Sequence, residues 1–361
     1  MIVKISINKH ELQDAISVPT SIASRGFIEM TSCIHVQAVG EKAVFSATDL
    51  DMSARVEKPA MVEQEGSVLV SARKLASIVK TLPDEAVTIE GDDIAVHLSC
   101  GKSRFRIPSL DPEDFPRFPR VDPSASVKLA RDEFAFGIDA CAPFVVPDKK
   151  GVSGSDAMRG VRIVADGSSV TAYATDTYRI IRSECRAMEA GGAFDVIAPV
   201  AFLVEVAATK VGPVELSYSE NQIAAKCTDV EIVARRIEGS MPNMASFFAL
   251  PSNASADVGR SEMAALTRRS MAVASKHPMT ITIGAGEVSA SVEGGDSGDF
   301  SDSIEADTKE RCYVCLHPAY LLSALQAASS DKVRISLDNP LKPATVSGGG
   351  KTCVIMPVRK S

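Results

Sequence analysis

The stretch SARKLASIVKTLPDEAVTIEGDDIAVH, beginning at Ser71, reads as a helix followed by strands, and it is one of three such stretches. APVAFLVEVAATKVGPVELSYSENQIAAK from Ala198 and HPAYLLSALQAASSDKVRISLDNPLKPATVSG from His317 repeat it. Leu75, Phe202 and Tyr320 hold corresponding places, 127 and 118 residues apart. Self-similarity at such intervals marks a duplicated structural unit and has to be settled before any local reading.

Working outward, alternating apolar and polar residues precede each of these helices. CIHVQAVGEKAVFSATDLDMSARVE, GVRIVADGSSVTAYATDTYRIIRSE and MTITIGAGEVSASVEG read as hairpins with Gly, Asp, Glu or Ser at the turns. Further upstream each copy opens with a short strand and a first helix: VKISINKHELQDAIS from Val3, VKLARDEFAFGIDAC from Val127 and ADVGRSEMAALTRRS from Ala256. Asn8 with Glu11 predicts a capping box, and Leu12, Ala15 and Ile16 share one helical face, as Phe134, Ile138 and Cys141 do in the second copy. Each unit is α+β, an antiparallel sheet with two helices on one face. DPEDFPRFPRVDPSAS (111–126) and ALPSNASAD (249–257) have linker composition, which places three tandem domains at about 1–122, 123–250 and 251–361.

The 361 residues suffice for several cores. The opening MIVKISINKHELQ lacks the apolar core and cleavage site of a signal peptide, and no run reaches the roughly 18 apolar residues of a membrane span. A cytoplasmic location is expected. The eight cysteines sit mostly inside apolar runs, as reduced buried thiols do. Cys312 and Cys315 form a C-x-x-C, but no second pair completes a zinc set and both fall on a strand, pointing to opposite faces. The net charge of −7 argues against a nucleic-acid-binding surface overall and leaves room for a local basic face.

Four chemistries are weighed and set aside. SGGGKTCVIMPVRKS (347–361) resembles a phosphate loop, yet the first required glycine is Thr345 and a strand follows, so Gly348, Gly349 and Gly350 read as a hairpin turn. Ser71 and Lys74 match the S-x-x-K of acyl-enzyme hydrolases without its companion motifs, and Ser71 stands where an N-cap belongs. The five histidines lack metal-ligand spacing. Asp49 and Asp51 are candidate acids, but Asp176 recurs at the place of Asp49, which points to an Asp-supported turn in both copies.

On ATDLDMSARVE (47–57), PEDFPRFP (112–119), RGVRIVADGSSVTAYATDTYRI (159–180), RRIEGSMPN (235–243) and VIMPVR (354–359), set on a threefold repeat, the chain resembles the bacterial DNA polymerase III beta subunits, the sliding clamps. The resemblance implies half of a closed ring: a head-to-tail homodimer, twelve helices lining a hole around duplex DNA of any sequence, and no catalysis, metal or cofactor. It also implies a hydrophobic pocket between the central and C-terminal domains. That pocket takes short linear motifs, with a glutamine and two large apolar anchors, from the polymerase III alpha subunit, the clamp loader, other polymerases and repair proteins. Carried over by motif, it comprises Met158, Thr175, Thr177, Tyr178, Arg179, Ile180, Pro242, Phe247, His317, Tyr320, Val354, Met356, Pro357, Val358 and Arg359, with the two arginines expected to steer the peptide's polar ends. DNA-facing candidates are Arg25, Arg73, Lys74, Lys80, Lys149, Lys150, Lys210, Arg268 and Arg269. Thr177-Tyr178 departs from the family's frequent Gly-His and implies a narrower or altered cleft. A hydrolase built on Ser71 and Lys74, and a peptide-binding scaffold that never meets DNA, are the competing readings.

Overall fold

The computed structural model describes residues 3–92, 94–147, 155–210 and 212–359. The element order repeats three times. The first copy runs β1 (Val3–Asn8), α1 (Lys9–Ala23), β2 (Cys33–Val39), β3 (Lys42–Thr48), β4 (Met52–Pro59), β5 (Met61–Gln64), β6 (Gly66–Ser71), α2 (Ala72–Thr81), β7 (Ala86–Gly91), β8 (Ala95–Cys100) and β9 (Ser103–Leu110). The second runs β10 (Ala125–Leu129), α3 (Arg131–Cys141), β11 (Gly160–Asp166), β12 (Ser169–Thr175), β13 (Arg179–Gly191), β14 (Phe194–Pro199), α4 (Val200–Ala207), β15 (Val214–Tyr218), β16 (Gln222–Lys226) and β17 (Val230–Arg235). The third runs β18 (Ala254–Gly259), α5 (Arg260–Ala274), β19 (Met279–Gly284), β20 (Glu287–Glu293), β21 (Asp299–Glu305), β22 (Cys312–Leu316), α6 (Pro318–Ala327), β23 (Lys332–Leu337), β24 (Ala344–Gly348) and β25 (Lys351–Ile355).

Pairing repeats with the order. β2 pairs with β3 and β6, as β11 does with β12 and β14, and β19 with β20 and β22. Every one of these ladders is antiparallel. Alternation drives them: in β1, Val3, Ile5 and Ile7 are buried while the residues between face outward. The scheme is interrupted at β5, where Pro59 and Ala60 break a strand that runs unbroken for 13 residues as β13 in the second copy. Proline has no N–H to give to a ladder.

The chain packs into two compact units, residues 1–131 with 188–192 and 201–236, and residues 132–187 with 193–200 and 237–361. The second copy contributes to both. The reason lies in two seams. In the first unit β4 pairs with β17, from Met52↔Ala234 to Val56↔Val230. In the second, β13 pairs with β25, from Arg179↔Ile355 to Ser183↔Lys351. Each seam joins the fourth strand of one copy to the last strand of the next, so a sheet continues from copy to copy. Phe45, Leu12, Leu75 and Phe202 fill the first unit's interior, and Phe144, Leu321 and Leu325 the second's.

The helices show where local signals were overruled. Asn8 caps α1 by accepting from the His10 amide (2.9 Å), but Glu11 reaches Lys58 (3.2 Å) rather than completing a capping box. α1 also runs on past Pro19 to Ala23, because Ile22 and Ala23 are buried and their packing outweighs one missing backbone donor. Ser71 occupies the N-cap position of α2 as expected, without a side-chain cap bond.

Candidate functional site

The turn between β12 and β13 is built by its own side chains. Asp176 Oδ1 accepts from the amides of Tyr178 and Arg179, both at 3.1 Å, and Thr175 Oγ1 accepts from the Thr177 amide (3.1 Å) while donating to Arg179 O (2.9 Å). The same device recurs at Asp49, which accepts from Asp51 N (3.0 Å) and Met52 N (2.7 Å), with Thr48 in the role of Thr175. Asp49 and Asp176 are therefore turn residues. The third residue of the turn takes a left-handed backbone in both copies, φ 79° at Leu50 and 77° at Thr177. For a β-branched residue that conformation is strained.

Where the first copy places Met52, the second places Arg179, and its guanidinium is fully engaged. Nε donates to Asp176 Oδ2 (2.9 Å) and a terminal nitrogen to Pro143 O (2.6 Å), while the plane lies 4.6 Å from the Phe144 ring and 4.8 Å from that of Tyr320. Arg179 is 9% exposed. It organises the turn, whereas Arg359 is exposed. Tyr320 is sandwiched further by His317, 4.8 Å between centroids, and by Tyr178, stacked at 6.0 Å and 23°. His317 Nδ1 caps α6 through the Ala319 amide (3.2 Å). Burial, then the Arg179 charge, lowers the His317 pKa, so the ring is neutral at pH 7. Burial, then the Asp176 carboxylate, raises that of Tyr320.

After β25 the chain crosses this turn as a strap. The Met356 amide donates to Tyr178 O (2.9 Å) and the Val358 amide to Cys315 O (2.8 Å), and Pro357 between them has no amide hydrogen. The Met356 and Val358 amides are both used, so neither is free for strand addition. Ile180 and Val354 form the floor with Ala157, Ile197, Met241 and Met244, and Phe247 packs against them. Thr175 is buried and Met158 half-buried beside Ala157, while Thr177, Tyr178, Pro242 and Val358 lie at the surface. The carried-over residues thus divide among turn, floor, strap and rim of one unit. Phe144 and Met244 pack beside them without a signal in the sequence, since nothing in APF or NMA marks a residue for a distant turn.

The same unit holds a separate cleft of about 1200 Å³ along α3, α6 and the Gly349–Lys351 turn. Glu133, Asp139 and Glu184 balance Arg186, Arg260 and Lys351 on its wall, so it offers no net attraction to a charged ligand.

The expected DNA-facing cations separate into groups. α2 buries Ala72, Leu75 and Val79 and exposes Arg73, Lys74 and Lys80, none ion-paired among the described residues. Arg268 and Arg269 are exposed on α5, with Arg269 Nε on Asp302 (2.9 Å). Arg25 departs from expectation: it is tied to buried Glu205 at 2.6 Å, beside Ser21 on the same carboxylate. Lys210 pairs with Asp14 at 2.8 Å. Lys149 and Lys150 lie outside the described residues.

The rejected chemistries leave ordinary structure behind. Gly349 (φ 61°) and Gly350 (φ 75°) turn β24 into β25. Cys312 and Cys315 are buried on β22, where Cys315 Sγ meets Thr280 Oγ1 at 3.4 Å. Burial raises the Cys312 pKa, and the same cause pushes Cys33 and Cys185 up to about 11.

Residues 3–119 match the family model described as DNA polymerase III beta subunit, N-terminal domain, and residues 154–243 match its central domain. The beta sliding clamp of Streptomyces coelicolor is 26% identical over 357 residues, covering 96% of this chain and 94% of that protein. That of Bacillus subtilis is 23% identical over 388 residues, covering 99% of each. Among solved structures, the Bacillus subtilis sliding clamp superposes with a TM-score of 0.92 at 21% identity over the whole of both chains. A Pseudomonas aeruginosa clamp bound to griselimycin does so at 0.90 and 18%, covering 99% of each. Two family domains in order, full-length relatives and a shared fold lead to one conclusion: the chain belongs to the bacterial DNA polymerase III beta-subunit family, the sliding clamps.

Proposed function

We infer that two copies of this chain close head to tail into a ring around duplex DNA and tether replicative and repair proteins to it through the Tyr178–Arg359 site. The function is processivity, a non-catalytic one. Three tandem domains with boundaries near 122 and 250 build each half. No described helix is long and apolar enough to cross a membrane, and the cytoplasm is the proposed location.

The observation that carries this reading is the seam rule. β4 takes β17 and β13 takes β25, so the third equivalent, β21, wants the last strand of a following copy, and β9 wants a preceding one. Within the described residues β21 pairs only with β20, and β9 pairs with β8 and touches β6 only at Ser109 and Leu110. The two edges are complementary. β9 presents Arg104 and Arg106 around Phe105; β21 presents Asp299 and Glu305 at its ends, flanking Phe300 and Ile304. A second copy satisfies both at once, and a twofold axis closes the assembly without leaving an edge. Such a tether holds DNA by enclosure, which suits a chain of net charge −7 that still exposes Arg73, Lys74 and Lys80 on α2 and Arg268 and Arg269 on α5.

Sedimentation equilibrium tests the edge pairing. The wild type is expected at about 76 kDa, twice the 38.2 kDa chain. Arg104→Glu with Arg106→Glu is expected to give 38.2 kDa, and mixing it with Asp299→Lys/Glu305→Lys gives a mixed dimer of about 76 kDa, twice the chain mass, with one charge-swapped and one wild-type interface, both complementary. A charge-reversed pair that stays fully dimeric rules these strands out.

A further inference from the structure

The turn itself imposes a left-handed third position, as at Leu50, but it does not require threonine there or a tyrosine after it. Thr177 holds φ 77° although a glycine would hold it without cost, and the consequence is to present Tyr178 outward, 59% exposed. Tyr178 is nonetheless fixed. Its amide is held by Asp176, its carbonyl by the Met356 amide, and its ring by the face of Tyr320 at 6.0 Å. Tyr320 is itself immobilised between His317 and the Arg179 guanidinium. An exposed ring with its backbone and one neighbour locked loses little entropy when it accepts a ligand. Val358, 36% exposed, and the half-buried Met356 and Pro357 continue the apolar surface beside it.

We propose that Tyr178 is the specificity-determining residue of this site, and that its exposed ring stacks on a planar aromatic anchor of the client peptide in preference to an aliphatic one of equal size. The proposal rests on the peptide-tethering reading above. The physical basis is that aromatic pairs gain from offset or tilted ring contact beyond the area they bury, and an aliphatic anchor gains only the area. The carboxylate nearest the row, Asp176, is consumed by the turn and by Arg179, so the platform selects for ring shape rather than charge.

The test uses the full chain and fluorescein-labelled octapeptides with one glutamine and two apolar anchors, each anchor varied in turn as phenylalanine or cyclohexylalanine. For one of the two positions the phenylalanine peptide is expected to bind about 2- to 12-fold tighter. Tyr178→Leu brings the phenylalanine-to-cyclohexylalanine ratio to about 1, whatever its effect on overall affinity, and Tyr178→Phe preserves the ratio. Thr177→Gly, which relieves the backbone and frees the ring, raises thermal stability and shrinks the ratio. A wild type indifferent to ring planarity, or a ratio that survives in Tyr178→Leu, overturns the proposal and leaves the tethering reading standing. Met356→Ala with Arg359→Ala is the separate control: loss of all peptide binding places the peptide here, and unchanged binding overturns both.

Discussion

Replacing Arg179 exposes how the second copy differs from the first. Arg179→Ala deletes a bond to Asp176 (2.9 Å), a bond to Pro143 O (2.6 Å) and two ring contacts near 4.7 Å, all at a residue only 9% exposed. Charge-assisted bonds contribute about 1.5–3 kcal/mol each and a partly desolvated cation–π contact about 1–2, offset by several kcal/mol for burying the guanidinium. The net loss is about 3 kcal/mol, including a cavity and an Asp176 left without its cation. Arg179→Met is the informative partner, since Met52 fills the equivalent place beside Asp49, 4% exposed and without an ion pair. It is expected to cost about 1 kcal/mol, in the range of volume-conserving changes. A chain of two compact units need not unfold in one step, so the assay is native-state hydrogen exchange on the β13–β25 ladder amides. Protection there falls about 100-fold in Arg179→Ala and about 5-fold in Arg179→Met. A change under about 3-fold in the alanine variant, or equal losses in both, refutes the assignment of Arg179 as the turn's organiser.

Other outcomes follow from the same geometry. Phe202→Ala empties a fully buried site and destabilises the first unit by about 3–5 kcal/mol in urea titration. His35, packed 5.1 Å from Phe115, is held neutral by burial with its pKa lowered to about 4. The unfolded state therefore binds the extra proton, and stability is lost as pH falls from about 6.5 to about 4, by up to about 3 kcal/mol; His35→Phe flattens that part of the curve. Arg73→Ala/Lys74→Ala/Lys80→Ala lowers the salt slope of binding to short linear duplexes by up to about 3, whereas Arg25→Ala leaves the slope unchanged because Glu205 already neutralises it.

The repeat was legible because duplication preserves pattern: the alternation of each hairpin, the matched second helices and the Asp of each turn survive in the residues themselves. Asp49 and Asp176 were read correctly as turn residues since a local hydrogen-bond device leaves a local signature. What the residues alone did not show are partners distant in the chain. Arg25 gives no sign of Glu205, 180 residues away, which is brought against it. Arg179 gives no sign of Phe144 and Pro143 O, which close around it. Glu11 signals a capping box, and Lys58 outcompetes the backbone for it. Seam pairing could not be read from either strand, but it follows once three equivalent strands are compared.

Retention on DNA tests the central claim most directly. The chain is loaded on a nicked circular plasmid, and the fraction bound is followed by gel filtration before and after a restriction cut, at constant salt. Enclosure predicts stable retention on the circle and rapid loss once ends appear. Equal retention on circle and linear fragment, declining only as salt rises, would mean that charge and not topology holds the DNA.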